Sequence, residues 1–263
     1  MEKATRQFTK VHNIHLVLKT IYEQEATSRA DVARITGLTR ATVSEIVSGL
    51  MDEGLLEEVG IGESVGGKPP ILVSLRSNAR QLICADLTGR EFRGALVDLR
   101  GKIRCEKTLL TGGLHGAELL DLLVQLLDSL VAEAEAPLIG IGVSAPGLTD
   151  PAEGIVRRSV QLDWTDLPVR QLLDERYHLP IHVINDSHAA ALAEYTFGAL
   201  RQTPNLIVVR VAEGIGSGII LSGKLHYGDG YGAGEIGHLT VVDGGRQCTC
   251  GNYGCLETVA SPR

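Results

Sequence analysis

Residues 234–257 read GEIGHLTVVDGGRQCTCGNYGCLE, and no other stretch limits the possible folds as tightly. It carries His238, Cys248, Cys250 and Cys255, separated by nine, one and four residues. One imidazole and three thiolates form a closed tetrahedral set of the kind that suits structural zinc. Interspersed glycines let the backbone turn tightly enough to bring four donors onto one ion. Glu235 and Glu257 flank the set, so the metal is expected to order a loop whose polar groups face a ligand. The plainer reading is unpaired thiols or disulfide partners. The density of the set argues against it, because only Cys84 and Cys105 lie elsewhere in the chain.

An odd cysteine count with a metal-like cluster fits a reducing compartment better than a secreted disulfide scaffold. The first residues, MEKATRQFTKVHN, lack the apolar core of a signal peptide, and no apolar run approaches the ~20 residues of a membrane helix. The expectation is a cytoplasmic protein with no membrane partner. At 263 residues the chain has room for two or three domains, and its net charge of −7 argues against nonspecific coating of nucleic acid by the whole surface. A local DNA-binding face remains open.

The first fifty residues are the exception in charge, since Lys and Arg outnumber Asp and Glu there. Ile14, Val17, Leu18 and Ile21 recur at helical spacing and predict a helix over 11–25. Ser28, with Asp31 three residues on, caps a short second helix. Thr36-Gly37-Leu38 closes it. Thr39 caps a third helix through Val43, Ile46, Val47, Leu50 and Met51 to a stop at Gly54. Two short helices joined by a tight Gly-containing turn are the helix-turn-helix arrangement, whose second helix enters the major groove. Its leading residues are Thr39, Arg40, Ala41, Thr42 and Ser44. Arg40 suits a guanine edge, the hydroxyls suit bases or phosphates, and Ala41 suits a thymine methyl. Strands at 55–59 and 71–75 around a glycine-rich turn form a wing, with Lys68 at its tip for phosphate or minor groove. A helical module for protein contacts is the blander reading of the same pattern.

After residue 81 strands alternate with helices, which indicates an α/β domain. A helix is expected over 116–135, a strand over 138–143, and a strand over 182–185 that opens straight into a helix. LICADLTGREFRGALVDLRGKI is echoed by LIVVRVAEGIGSGIILSGKL, which points to a duplicated lobe with a cleft between the copies. The two glycine turns, at 88–89 and 214–218, are expected to face each other across it. Asn185 and Asp186 end a strand and begin a helix, where α/β folds commonly bind ligands. Asp186 is placed to accept a hydroxyl proton or simply to cap its helix. With Glu235, His238 and Glu257 it makes a set of acceptors suited to a sugar. His182 and His188 are assigned no role, and Trp164 lies near the cleft or in the core.

EIGH…CTCGNYGCLE, GIGVSAPG at 140–147 and INDSHAAAL at 184–192 together resemble the ROK family of repressors, open reading frames and kinases. SRADVARITGLTRATVSEIVSGLMDEGLLEEVG, followed by GGKPP, is similar to the DNA-binding module of its xylose- and N-acetylglucosamine-responsive repressor branch. The resemblance implies a winged helix-turn-helix over 1–80 and an actin-like, hexokinase-like two-lobed domain, with lobe I at 81–198 and lobe II at 199–263. It implies structural zinc on His238, Cys248, Cys250 and Cys255. It also implies sugar contacts from Asn185, Asp186, Glu235, His238 and Glu257, with Asp186 equivalent to the base of the kinases.

Two departures bear on function. The kinases of the family carry Asp-x-Gly-Gly-Thr where this chain has Asp86-Leu87-Thr88-Gly89-Arg90. They carry Gly-Thr-Gly-Ile-Gly where it has Ala212-Glu213-Gly214-Ile215-Gly216. A side chain at Thr88 and a carboxylate at Glu213 both work against phosphate binding. Chains of the family also continue well past the CLE motif, so lobe II is expected to be truncated and to leave apolar surface exposed. The expectation is a non-enzymatic, sugar-responsive repressor of carbohydrate-metabolism genes. It would act as a dimer or tetramer on operator DNA, with a monosaccharide or sugar derivative as effector. An ATP-dependent sugar kinase with a DNA-binding head is the alternative, and a zinc-stabilised regulator answering to a protein partner is a third.

Overall fold

The computed structural model describes residues 6–63 and 69–262. The chain divides into two compact units, one made of Met1–Gln81 with Asp98–Lys102, the other of Leu82–Val97 with Ile103–Arg263.

The first unit opens with α1 (Arg6–Gln24), which starts five residues earlier than its apolar spacing predicts. Strand β1 (Ala26–Ser28) leads into α2 (Arg29–Thr36) and α3 (Arg40–Asp52). The Ser28 hydroxyl accepts the Asp31 N–H at 3.1 Å and donates to the Asp31 carboxylate at 2.7 Å. The helix stops at Gly37, whose φ of 71° is the left-handed conformation that glycine tolerates best. Thr39 restarts the chain as α3, its hydroxyl accepting the Thr42 N–H at 3.2 Å. Val17, Ile21, Val32, Val43 and Val47 meet in a core with no exposed surface. Strands β2 (Leu56–Ile61) and β3 (Ile71–Leu75) pair antiparallel, and β1 joins them in the order β1-β3-β2. The expected wing tip, including Lys68, lies outside the described residues. Thr39→Ala is expected to destabilise this unit by about 1 kcal/mol through loss of the cap. A urea titration followed by circular dichroism, compared with the wild-type midpoint, reads it directly.

The second unit contains β4 (Gln81–Asp86), β5 (Glu91–Asp98), β6 (Ile103–Leu110), α4 (Ala117–Val131), β7 (Leu138–Ala145), β8 (Leu148–Asp150), β9 (Ile155–Ser159), β10 (Trp164–Leu167) and α5 (Val169–Tyr177). It continues with β11 (Ile181–Asn185), α6 (Asp186–Phe197), β12 (Leu206–Val211), β13 (Ile215–Leu221), β14 (Lys224–Leu225) and the short α7 (Glu257–Ala260). A five-stranded sheet runs β11-β7-β4-β5-β6, with β11 parallel to β7. Leu119, Leu123, Leu126, Leu127 and Leu130 make one buried stripe of α4 and pack with Ile83, Phe92, Leu96, Ile141 and Val143. Gly94 makes that contact possible, since a Cβ there would sit 2.6 Å from Leu130. Trp164 belongs to this core at 3% exposure, with its indole N–H donated to the Gly116 carbonyl at 2.8 Å.

A second sheet runs β12-β13-β14 and packs on α6. The successive hairpins β4-β5-β6 and β12-β13-β14 are the strands of the predicted internal echo. The second turn needs correction: it lies before Ile215, because residues 215–221 form a strand paired from Val211↔Ile215 to Leu206↔Ile220. The alternation of β12 leaves Ile207, Val209 and Val211 exposed on the face away from α6.

Candidate functional site

One turn of helix organises the site. Strand β11 delivers Asn185 as the N-cap of α6, where its side-chain carbonyl accepts the N–H groups of Ser187 at 2.9 Å and His188 at 3.1 Å. Its amide donates to the Gly147 carbonyl at 3.0 Å. Asn185 is therefore both a cap and a clamp on the loop after β7.

Asp186 follows. Its Oδ2 accepts from Arg210 Nη1 at 2.7 Å, and its Oδ1 accepts the Ser187 N–H at 2.8 Å. The Thr88 hydroxyl lies 3.4 Å from Oδ2 but donates to Asp86 at 2.7 Å. Burial pushes the Asp186 carboxyl above its ordinary range, and the Arg210 guanidinium opposes that push. The turns after β4 and β12 do face each other, with Arg90 Nε 3.6 Å from Glu213 Oε1. Arg90 and Glu213 each stand where the sequence departs from the kinase pattern, as does Thr88, and the two form an ion pair with one another.

His188 was given no role by sequence, yet it is 2% exposed and its Nε2 lies 2.9 Å from the Ala233 carbonyl. That contact ties α6 to the loop leading to Glu235. Ser217 holds the same loop, donating its N–H to the Gly234 carbonyl at 2.8 Å and its hydroxyl at 3.1 Å. Glu235 is raised in pKa chiefly by burial, with the His238 ring pulling the other way. Glu257, at the start of α7, accepts the Ile215 N–H at 3.1 Å.

His238 serves two sides. Its Nδ1 is 3.6 Å from Cys248 Sγ, and its Nε2 is 3.7 Å from Glu235 Oε2. Cys250 and Cys255 sulfurs are 3.8 Å apart, and the donor atoms of all four residues lie within 4.8 Å of one another. Such a group could hold a metal ion. Burial disfavours the Cys248 thiolate, but hydrogen bonds from Cys250, His238 and Cys255 outweigh it and bring the thiol down to about 7. Burial and its neighbours push Cys255 up to about 12.

A cavity of about 420 Å³ opens against these residues. Asn185, Asp186, Glu235, His238 and Glu257, all five sugar-facing candidates, line it. Cys250 lines it too, so the loop that carries the candidate metal donors forms part of its wall. Arg210 lines it without having been singled out by sequence. The available signal was a charge inside the apolar run LIVVRV.

In the helix-turn-helix, Arg40, Ala41 and Ser44 are exposed at the start of α3, and Thr42 is half-buried. The hydroxyls of Thr39 and Thr42 lie 2.9 Å apart, so both take part in starting the helix.

A helix-turn-helix unit in the same chain as a sugar-kinase-like α/β domain defines the class. The ROK family profile matches residues 82–263, and the IclR helix-turn-helix profile matches residues 16–60. The chain belongs to the ROK family. It is 33% identical over 266 residues to the xylose repressor of Bacillus subtilis, covering 100% of this chain and 69% of that one. Across the xylose repressors it matches, the chain spans 63% to 69% of their length. A solved ROK family transcriptional regulator, a homologue of the E. coli MLC protein, superposes with a TM-score of 0.77 at 28% identity. The match covers 96% of this chain and 65% of that one. A ROK family glucokinase from Streptomyces griseus, solved with glucose and AMPPNP, gives 0.63 at 32% identity over 69% of this chain and 57% of its own. Among the described residues no helix is long and apolar enough to cross a membrane.

Proposed function

We propose that the chain is a sugar-responsive, DNA-binding transcriptional repressor of carbohydrate-metabolism genes, working in the cytoplasm as a homo-oligomer (dimer or tetramer) on operator DNA. One observation carries the reading. The five sugar-facing residues share a cavity, whereas the two turns that hold nucleotide phosphates in the kinases carry Thr88, Arg90 and Glu213, with Arg90 and Glu213 paired to each other. Sugar is retained and nucleotide is refused. Likeness to a xylose repressor over the whole chain supports the same conclusion.

The effector is a monosaccharide or sugar derivative, held by hydroxyl donors to Asn185, Asp186, Glu235 and Glu257 and by the ring of His238. To release DNA it must bind one state of the protein better than the other, since tight binding alone shifts nothing. The operator is read by Thr39, Arg40, Ala41, Thr42 and Ser44, with Lys68 on the wing.

The metal of the loop is zinc, held by His238, Cys248, Cys250 and Cys255 in a structural role. With ideal tetrahedral bonds of about 2.3 Å to sulfur and about 2.05 Å to nitrogen, two sulfurs stand about 3.8 Å apart and a nitrogen–sulfur pair about 3.6 Å. The sulfurs of Cys250 and Cys255 are 3.8 Å apart, and Cys248 Sγ is 3.6 Å from His238 Nδ1. A cation on Nδ1 leaves the His238 proton on Nε2, the nitrogen beside Glu235 and the cavity.

A gel-shift titration tests the switch. An operator complex released by a pentose, a hexose or an N-acetyl sugar is the expected result, and Arg40→Ala is expected to weaken operator binding by about 1–3 kcal/mol. An operator that stays bound while calorimetry shows the sugar bound would discard the switch. The kinase alternative draws on the glucokinase likeness and on Asp186 in the lining of the cavity. Hexose-dependent ADP release that Asp186→Asn abolishes would favour it instead.

A further inference from the structure

We propose that Arg210 is a specificity-determining residue of the cleft: by occupying one oxygen of Asp186 it holds that carboxylate as a fixed hydrogen-bond acceptor for a ligand hydroxyl. The proposal rests on the reading of the cavity as a sugar site. Both side chains line that cavity, and they come from different elements, Asp186 from the first turn of α6 and Arg210 from β12.

Both carboxylate oxygens are engaged, Oδ1 by the Ser187 N–H at 2.8 Å and Oδ2 by Arg210 at 2.7 Å. Each oxygen of an ionised carboxylate offers two acceptor sites; the Ser187 hydroxyl also reaches Oδ1 at 3.4 Å, so Oδ2 keeps the site open to a ligand. Thr88 does not compete, because its proton goes to Asp86. Among the described groups acting on Asp186, Asp86 from β4 and Glu235 from the loop before His238 are acids, and Arg210 is the cation. Burial and both acids favour a protonated Asp186, which is a poorer acceptor than the ion. Arg210 is the largest influence working against them, ahead of the Ser187 N–H and the Thr88 hydroxyl.

The same contact explains binding without turnover. A carboxylate whose charge is matched by a guanidinium is a weaker proton acceptor, so a sugar hydroxyl donates to Asp186 and keeps its proton. Asp186 changes from base to anchor.

The test is isothermal titration of the full chain with a monosaccharide panel at pH 6 and pH 8, for wild type, Arg210→Gln and Arg210→Lys. Ligand binding needs ionised Asp186, so affinity is lost as pH falls through its pKa, and losing Arg210 raises that pKa. Wild type is expected to bind nearly equally at both pH values. Arg210→Gln should bind at least about twofold more weakly at pH 6 than at pH 8, since a carboxyl whose pKa is lifted to the assay pH is half protonated there. Arg210→Lys should restore the flat profile, which a merely structural defect would not allow. Arg210→Met is the second neutral variant should the first fail to fold, with circular dichroism as the check. A neutral variant with wild-type affinity at both pH values overturns the role of Arg210 and leaves the sugar reading standing. A wild type that binds no sugar overturns both.

Discussion

On the zinc reading proposed above, Cys255→Ser is expected to lower metal affinity by at least about 10–100-fold, the range for losing a supporting residue of a metal site, and to weaken sugar binding with it. The reason lies in how much of the cavity wall hangs on the loop. Cys255 is fully buried, pairs with Thr240 in an isolated bridge, and stands two residues before Glu257. His238 is both a candidate ligand to the metal and a wall of the cavity. Structural zinc supplies roughly 10–16 kcal/mol of apparent binding energy in small metal-folded domains, so an incomplete donor set lets the loop open. Serine keeps the size but offers a poor ligand in place of a thiolate. Calorimetry gives the sugar affinity, and colorimetric zinc release gives the metal content. Unchanged affinity in protein shown to have lost its metal would detach the loop from ligand binding.

The second large effect is expected at Gly234. Its φ is 93°, and a Cβ there would sit 1.9 Å from the Ser217 carbonyl oxygen. Left-handed strain costs about 1–3 kcal/mol and overpacking a similar amount, so Gly234→Ala should destabilise the second unit by about 2–6 kcal/mol. The loop would also be pushed off β13, moving Glu235 and His238 together. Gly244→Ala is the matched control, because its φ of 64° brings the strain while nothing lies within 4 Å of the added carbon. Urea midpoints for the two variants separate clash from strain. Equal destabilisation would mean that the Ser217 contact contributes nothing.

What the sequence disclosed was what local chemistry encodes. Ser28, Gly37 and Thr39 punctuate the helix-turn-helix within a few residues of the elements they bound, and each acts in the structure as its chemistry requires. Leu119, Leu123, Leu126 and Leu130 recur at helical spacing, and that spacing alone puts them on the one buried face of α4. Short strands were silent: β1 has three residues and pairs with the distant β3, and β8, β9 and β10 form a small local sheet without an apolar alternation to reveal it. α5 follows Pro168 with no side-chain cap, so its start carries little signal.

The site divides the same way. Asn185, Asp186, Glu235, His238 and Glu257 stood out because strand end, helix start and metal-ligand spacing mark them. Arg210 and His188 did not, because what they touch lies 24 residues away at Asp186 and 45 residues away at Ala233. Only the packing of α6 against the loop before Glu235 distinguishes His188.

The convergence of so many loops on the first turn of α6 has a consequence for redesign. Asn185 grips Gly147, Asp186 grips Arg210, and His188 grips Ala233, so a swap in any one of these segments disturbs the others. Retuning which carbohydrate fits must therefore fall to side chains outside that knot. Val160 and Gln161, exposed on the cavity rim beyond β9, are the positions where a library of variants would change preference without dismantling the scaffold.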